Sequence, residues 1–203
     1  MPRIQVLVAH PQLEHSRFSR ALLDAARAAG ARGHDIGCRD LYALYPDYLV
    51  DSAAEQAALE GAQLLVWLHP VHWYGMPPLM KLWLDEVFSF GWAYGPGGRA
   101  LAGRDLWLVT STGGPESAYH PGGYNRHFFD AFLPPYEQTA ALAGLRFLPP
   151  MVLHGAHRVD AATLAGEAAT FVDRLVRYPD WPELDQLPPC PECDVPVDAR
   201  PAR

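Results

Sequence analysis

Between Ala62 and Phe88 the chain passes from an apolar run into a loop dense in His, aromatic and Gly residues, Val71-His72-Trp73-Tyr74-Gly75, and then into a helix opened by Pro77 and Pro78. Proline suits the first turn of a helix because the N–H it lacks would have no partner there. A strand, a tight loop and a helix start in that order form the usual ligand position of a parallel α/β sheet, just outside the carboxyl ends of its strands. The helix carries apolar residues at 79, 80, 82, 83, 84, 87 and 88. That breadth exceeds a narrow amphipathic stripe and predicts a mostly buried helix, or one shared with a second subunit.

The same unit repeats along the chain. Ile4 to Ala9 is a short β-branched run that reads as a central parallel strand ending at His10-Pro11, and Ser16 is placed to cap a helix over about 17–29 with Gly30 as its stop. His34–Leu41 reads as an edge strand, 52–61 as a short helix, Ala62–Leu68 as the third strand and Arg104–Thr110 as the fourth. A helix is expected from His127, interrupted at Pro134-Pro135 and resumed to Ala143, followed by a fifth strand over 146–155 and a closing helix over 160–178. Alternation of this kind predicts an α/β, doubly wound, five-stranded parallel sheet of order 2-1-3-4-5. From Pro179 the chain becomes proline-rich, so 1–178 reads as one domain and 179–203 as an extended tail.

Three strand ends then carry chemistry to one edge: His10, Val71 to Gly75, and Ser111-Thr112-Gly113-Gly114, whose glycines let backbone approach a flat ligand. The first loop has neither a GxGxxG nor a Walker A pattern. Ser16, Arg17, Phe18 and Ser19 place hydroxyls and helix N–H groups where an anion could sit, although on spacing alone this is an ordinary capped helix. No G-x-S-x-G elbow is present, and no metal-ligand cluster is expected. Such a site suits a cofactor that brings its own reactivity. A net charge of −7 disfavours nucleic acid as a partner. With no recognisable signal segment and three cysteines, Cys38, Cys190 and Cys193, a reduced cytoplasmic setting is expected. Cys190-Pro191-Glu192-Cys193 is half a zinc knuckle without its second half, and reads as two thiols in the tail.

The run HPVHWYGMPPLMKLWLDEVF, the Gly91-Trp92-Ala93-Tyr94-Gly95 after it, Ser111-Thr112-Gly113-Gly114-Pro115-Glu116-Ser117, the opening Ala9-His10-Pro11, and Gly144-Leu145 with Leu148-Pro149-Pro150 occur in one order across residues 4 to 160. Together they resemble the flavodoxin-like NAD(P)H:quinone oxidoreductases, most closely the small ancillary flavoprotein of glutathione-regulated potassium-efflux systems. The resemblance implies FMN (larger members bind FAD), with its phosphate at Ser16–Ser19 beside His10 and its ring between the 71–75 loop and the 111–114 loop. Backbone N–H groups of Trp73 to Gly75 are then expected at the N5/O4 edge, and those of Gly113 and Gly114 at the N1/O2 edge.

By the same resemblance Tyr119 touches the substrate, with His120 or His127 as its partner. Ser19 departs from the family, where Asn is frequent, and the spacing near Gly122-Gly123 departs as well. The implied activity is two-electron transfer from NAD(P)H to a quinone, in a homodimer with 79–88 and Trp92-Ala93-Tyr94 as interface. Two other readings stay open. One is a regulatory flavoprotein on a potassium–proton antiporter, peripheral at the inner membrane through that partner. The other is a flavodoxin-type electron carrier.

Overall fold

The computed structural model describes residues 1–188. Five strands, β1 (Ile4–Val8), β2 (Ile36–Asp40), β3 (Leu64–Pro70), β4 (Asp105–Ser111) and β5 (Arg146–Leu153), pair in the order β2-β1-β3-β4-β5. Every pair is parallel, in the continuous registers Ile4 to Ile36, Ile4 to Leu64 and Leu64 to Asp105. The expected sheet is therefore the observed one, and all carboxyl ends open on one edge. The β4–β5 ladder slips between Trp107 and Val109, opposite Pro149-Pro150. Proline can sit in β5 because β5 is an edge strand.

Side-chain alternation along the strands divides the core in two. Leu7, Leu65, Trp67, Leu106 and Leu108 face one side, under α3 (Ser52–Leu59), α4 (Pro78–Val87) and α5 (Pro134–Leu142). Val6, Val8, Val66, Leu68 and Val109 face the other, under α1 (Arg17–Ala31) and α6 (Ala161–Arg177). The breadth of apolar sequence on α4 is consumed by the chain's own core: Leu79, Met80, Trp83 and Val87 are fully buried within it. That breadth does not by itself call for a second subunit.

Several boundaries differ from expectation, each for a local reason. Gly30 lies inside α1, where a Cβ would come within 3.1 Å of the Ile36 carbonyl; Gly33, at φ 100°, makes the turn instead. Asp40 ends β2 by capping the short α2 (Leu41–Leu44), its carboxylate accepting the Ala43 N–H. No helix starts at His127. A single 3-10 turn spans Phe129–Phe132, and Pro134-Pro135, expected as an interruption, are the first residues of α5.

Over residues 179–188, the described part of the expected extended tail, the chain packs onto the sheet. Trp181 and Leu184 are buried, with the Trp181 ring edge-on to Trp107 at 4.9 Å. Cys190 and Cys193 lie outside the described residues. Among the described residues no helix is long and apolar enough to cross a membrane.

Candidate functional site

The carboxyl ends of β1, β3 and β4 deliver their loops to one cavity of about 390 Å³. His10, Ser16, Arg17, Phe18, Val71, His72, Ser111, Thr112 and Gly113 line it. A second hollow of about 200 Å³ is bordered by Val71, Trp73, Tyr74, Gly114, Tyr119, Tyr124 and Asn125. Val71 borders both. Of the remaining expected residues, Ser19 is fully buried behind the start of α1, and Gly75 lines a neighbouring apolar groove with Tyr74, Leu84 and Phe132.

At the α1 end, Ser16 caps the helix by accepting the Ser19 N–H at 3.1 Å. The N–H groups of Arg17 and Phe18 belong to the first turn, which an α-helix leaves without internal partners. The Ser19 hydroxyl is buried with no partner. Arg17 directs a guanidinium N–H to the Val159 carbonyl at 2.7 Å, tying α1 to the loop after β5. Burial, and then the neighbouring His72, hold His10 below the usual imidazole range. His10 Nδ1 accepts the Gln12 N–H at 3.1 Å, so the neutral ring carries its proton on Nε2.

The loop after β3 is a tight turn. His72 and Gly75 exchange both backbone hydrogen bonds, at 3.0 and 3.1 Å. Between them Trp73 and Tyr74 sit at φ 48° and 65°, a left-handed conformation unusual for large side chains and a marker of functional loops. Their N–H groups find no backbone partner among the described residues. Trp73 is 95% exposed, while Tyr74 stacks on Phe132 at 5.1 Å and donates its hydroxyl to Asn125 Oδ1 at 3.3 Å.

The loop after β4 is built the same way. The Thr112 hydroxyl donates to the Gly114 carbonyl at 2.7 Å, and Gly155 N–H donates to that same oxygen at 2.8 Å. The N–H groups of Gly113 and Gly114 have no partner among the described residues. A side chain at Gly114 would meet the Tyr124 hydroxyl at 2.4 Å, so only glycine fits beneath that ring as placed. Two pairs of backbone donors without a backbone partner among the described residues therefore flank the hollows, open to an acceptor-rich ligand.

Tyr119 is buried on this loop's continuation, and burial raises its hydroxyl above the usual range despite a hydrogen bond with Thr112. Its neighbouring imidazole is His154, 5.1 Å away by ring centroid. His120 is exposed, and its Nδ1 accepts the Gly122 N–H at 3.0 Å. His127 is exposed too, edge-on to Phe132. Sequence reasoning missed His154, His157, Tyr124 and Asn125. The first two leave β5 at the same sheet edge, so a fourth strand end was the available signal. Tyr124 and Asn125 reach the hollow through a loop that no periodicity marks.

The residues fit an elongated, anionic-tailed ring: a helix start and a buried hydroxyl at one end, two glycines and two unpaired amide pairs at the other. A sequence model of a family described by its flavodoxin-like fold matches residues 2–175. Among solved structures, the general stress protein 14 of Treponema denticola, in complex with FMN, is 34% identical over 86% of this chain and 98% of its own, with a TM-score of 0.79. A chain described as the thermophilic tryptophan halogenase Th-Hal of Streptomycin violaceusniger is 37% identical over 85% of this chain and 97% of its own, with a TM-score of 0.78. A protein of Klebsiella pneumoniae described as a candidate quinone reductase is 25% identical over 93% and 87%, with a TM-score of 0.76.

Proposed function

This chain belongs to the flavodoxin-like fold family, and from that premise we propose that it is an FMN-dependent NAD(P)H:quinone oxidoreductase. The observation that carries the reading is the pairing of unpartnered N–H groups, Trp73 with Tyr74 and Gly113 with Gly114, around adjoining hollows at one sheet edge. The FMN in the Treponema denticola relative and the quinone reductase description of the Klebsiella pneumoniae relative support the cofactor and the acceptor class.

Bound FMN supplies two-electron redox chemistry at its ring. The start of α1, with Ser16, Arg17 and Phe18 on the cavity and Ser19 buried behind them, would hold the phosphate, and neutral His10 would offer its Nε2–H beside it. Trp73 and Tyr74 would donate to one ring edge; the Gly75 N–H, expected there as well, is instead taken by the His72 carbonyl at 3.1 Å. Gly113 and Gly114 would donate to the other, where fixed amides would stabilise negative charge without reorganising. Tyr119 lies where a substrate reaches the ring and offers it a protonated hydroxyl, since burial raises its pKa. NAD(P)H and a quinone occupy that place in turn. Trp73 and Tyr124 are exposed aromatics at its rim, an apolar surface suited to a quinone ring or to a second copy of the chain in a homodimer.

The test is reconstitution. The purified protein, mixed with FMN and desalted, is expected to keep a flavin spectrum that NAD(P)H bleaches under nitrogen and a quinone restores. A protein that releases all FMN on desalting and shows no saturable binding overturns the reading. Stepwise one-electron reduction with no response to NAD(P)H assigns an electron carrier instead.

A further inference from the structure

The Thr112–Gly114 loop is held by a side chain from a fourth strand end. His154 follows β5 directly, and its Nδ1 lies 3.0 Å from Thr112 Oγ1. The Thr112 hydroxyl has one proton, and it goes to the Gly114 carbonyl at 2.7 Å. The oxygen can therefore only accept from the imidazole, which places the His154 proton on Nδ1. The other polar groups of the turn are tied to the same segment. Thr112 N–H donates to Leu153 O at 2.9 Å, and Ala156 and Gly155 N–H donate to the carbonyls of Thr112 and Gly114 at 3.0 and 2.8 Å. With the Thr112 and Gly114 carbonyls taken by the β5 side, the Gly113 and Gly114 N–H groups and the Gly113 carbonyl are the backbone groups of the turn left without a partner among the described residues. The imidazole itself is wedged against Tyr119 at 5.1 Å and edge-on to Phe129 at 5.2 Å. The carboxylate of Glu116 acts on it electrostatically.

We propose that His154 is a positioning residue for the cofactor. Its Nδ1–H holds the Thr112 hydroxyl, which holds the Gly114 carbonyl, and this chain of hydrogen bonds fixes the direction of the Gly113 and Gly114 amides and so sets the affinity and midpoint potential of bound FMN. The inference rests on the FMN reading given above. Donors aimed in advance at developing charge are effective because they need not reorient. Without His154 the Thr112 hydroxyl keeps the Gly114 carbonyl and Tyr119 but loses its tie to the β5 side, and the turn gains freedom to rotate its amides away.

Three variants decide the matter. His154→Leu removes the donor. His154→Asn keeps one, because the Asn Nδ2 occupies nearly the place of the imidazole Nδ1. Thr112→Val removes the acceptor. FMN affinity is read by flavin fluorescence, the potential by dye-coupled titration, and the imidazole tautomer by nitrogen-15 NMR of the cofactor-free protein. His154→Leu and Thr112→Val are each expected to weaken FMN binding about tenfold and to lower the midpoint potential by about 30 mV, the two-electron equivalent of a tenfold change. His154→Asn is expected to restore both toward wild type. Wild-type His154 is expected as the Nδ1–H tautomer without cofactor, and Thr112→Val to lose that signature.

Wild-type affinity and potential in Thr112→Val and His154→Leu, or an Nε2–H tautomer in the wild type, would overturn the inference while leaving FMN binding intact. Failure of the wild type to take FMN overturns the underlying reading, and the inference with it. If His154→Leu does not fold, the contrast between His154→Asn and Thr112→Val gives the same decision.

Discussion

His69 and Tyr136 stack with ring centroids 5.7 Å apart and planes 17° from parallel, at the end of the strand that feeds the 71–75 loop. His69 is fully buried, its Nδ1 lies 2.9 Å from the Pro70 carbonyl, and its Nε2 has no partner. The carbonyl accepts, so Nδ1 carries the proton and Nε2 is a bare acceptor in apolar surroundings. Burial, with a smaller contribution from His72, drives its pKa from 6.5 to about 4. The folded pKa lies below the unfolded one, so between these values the unfolded chain binds the extra proton. Stability is therefore full above about pH 6.5 and falls as pH drops toward 4, by at most about 3 kcal/mol from this residue. Urea midpoints at pH 7.5, 6 and 5 check this. His69→Phe keeps a stacked ring and should flatten much of the slope, leaving the part due to His10 and His154, whose pKa values burial also lowers. An unchanged slope in His69→Phe would refute the assignment.

Glu55 joins three elements through one carboxylate. Buried on α3, it accepts from Arg39 Nε on β2 at 2.9 Å to both oxygens, from Trp83 Nε1 on α4 at 2.9 Å, and from the Tyr45 hydroxyl. Truncation leaves the Arg39 charge half-buried and two further donors unpaired. Glu55→Ala is expected to cost about 3–5 kcal/mol. Glu55→Gln, which retains an acceptor, should cost visibly less. Chemical denaturation of both variants checks the order, and equal losses would mean that the charge carries the whole effect and the retained volume and acceptor contribute little.

The sheet was legible because β1, β3 and β4 are buried on both faces and so appear in the sequence as unbroken apolar runs. The three loops were legible because each follows such a run. What escaped notice depended on single contacts. The proline rule that starts α4 at Pro78 also starts α5 at Pro134, but the apolar residues from Phe128 to Leu133 simulate a helix that is only one 3-10 turn. The segment after Pro179 is proline-rich enough to read as unpacked, yet two side chains, Trp181 and Leu184, suffice to seat it. His154 meets Thr112 across 42 residues of sequence, a distance at which no spacing rule operates.

Trp181 gives that seat its energy. Its ring is 4% exposed, packs edge-on against Trp107, lies 4.8 Å beneath the Arg174 guanidinium, and donates Nε1–H to the Arg174 carbonyl at 2.8 Å. Trp181→Ala should destabilise the protein by about 3–5 kcal/mol, the usual range for a large aromatic removed from a core. Thermal or urea unfolding measures it. A loss below about 1 kcal/mol would mean that this segment is an accessory rather than part of the fold.

Gly114→Ala separates the cofactor site from the scaffold. No backbone strain is involved, since Gly114 is not among the glycines at positive φ. The added Cβ meets the Tyr124 hydroxyl at 2.4 Å and Asn125 Nδ2 at 3.6 Å. Tyr124 is 70% exposed, so its ring can swing into solvent and the fold should lose less than about 1 kcal/mol. The methyl group nevertheless projects toward the hollow where a flat ring is proposed to lie against backbone. FMN affinity is expected to fall at least tenfold while the unfolding midpoint stays close to wild type. The double variant with Tyr124→Ala isolates the cause. If the loss came only from the displaced Tyr124 ring obstructing the hollow, removing that ring would restore affinity. If the methyl group occupies the cofactor's own space, affinity stays low with or without the tyrosine, and the second outcome is the one this geometry requires.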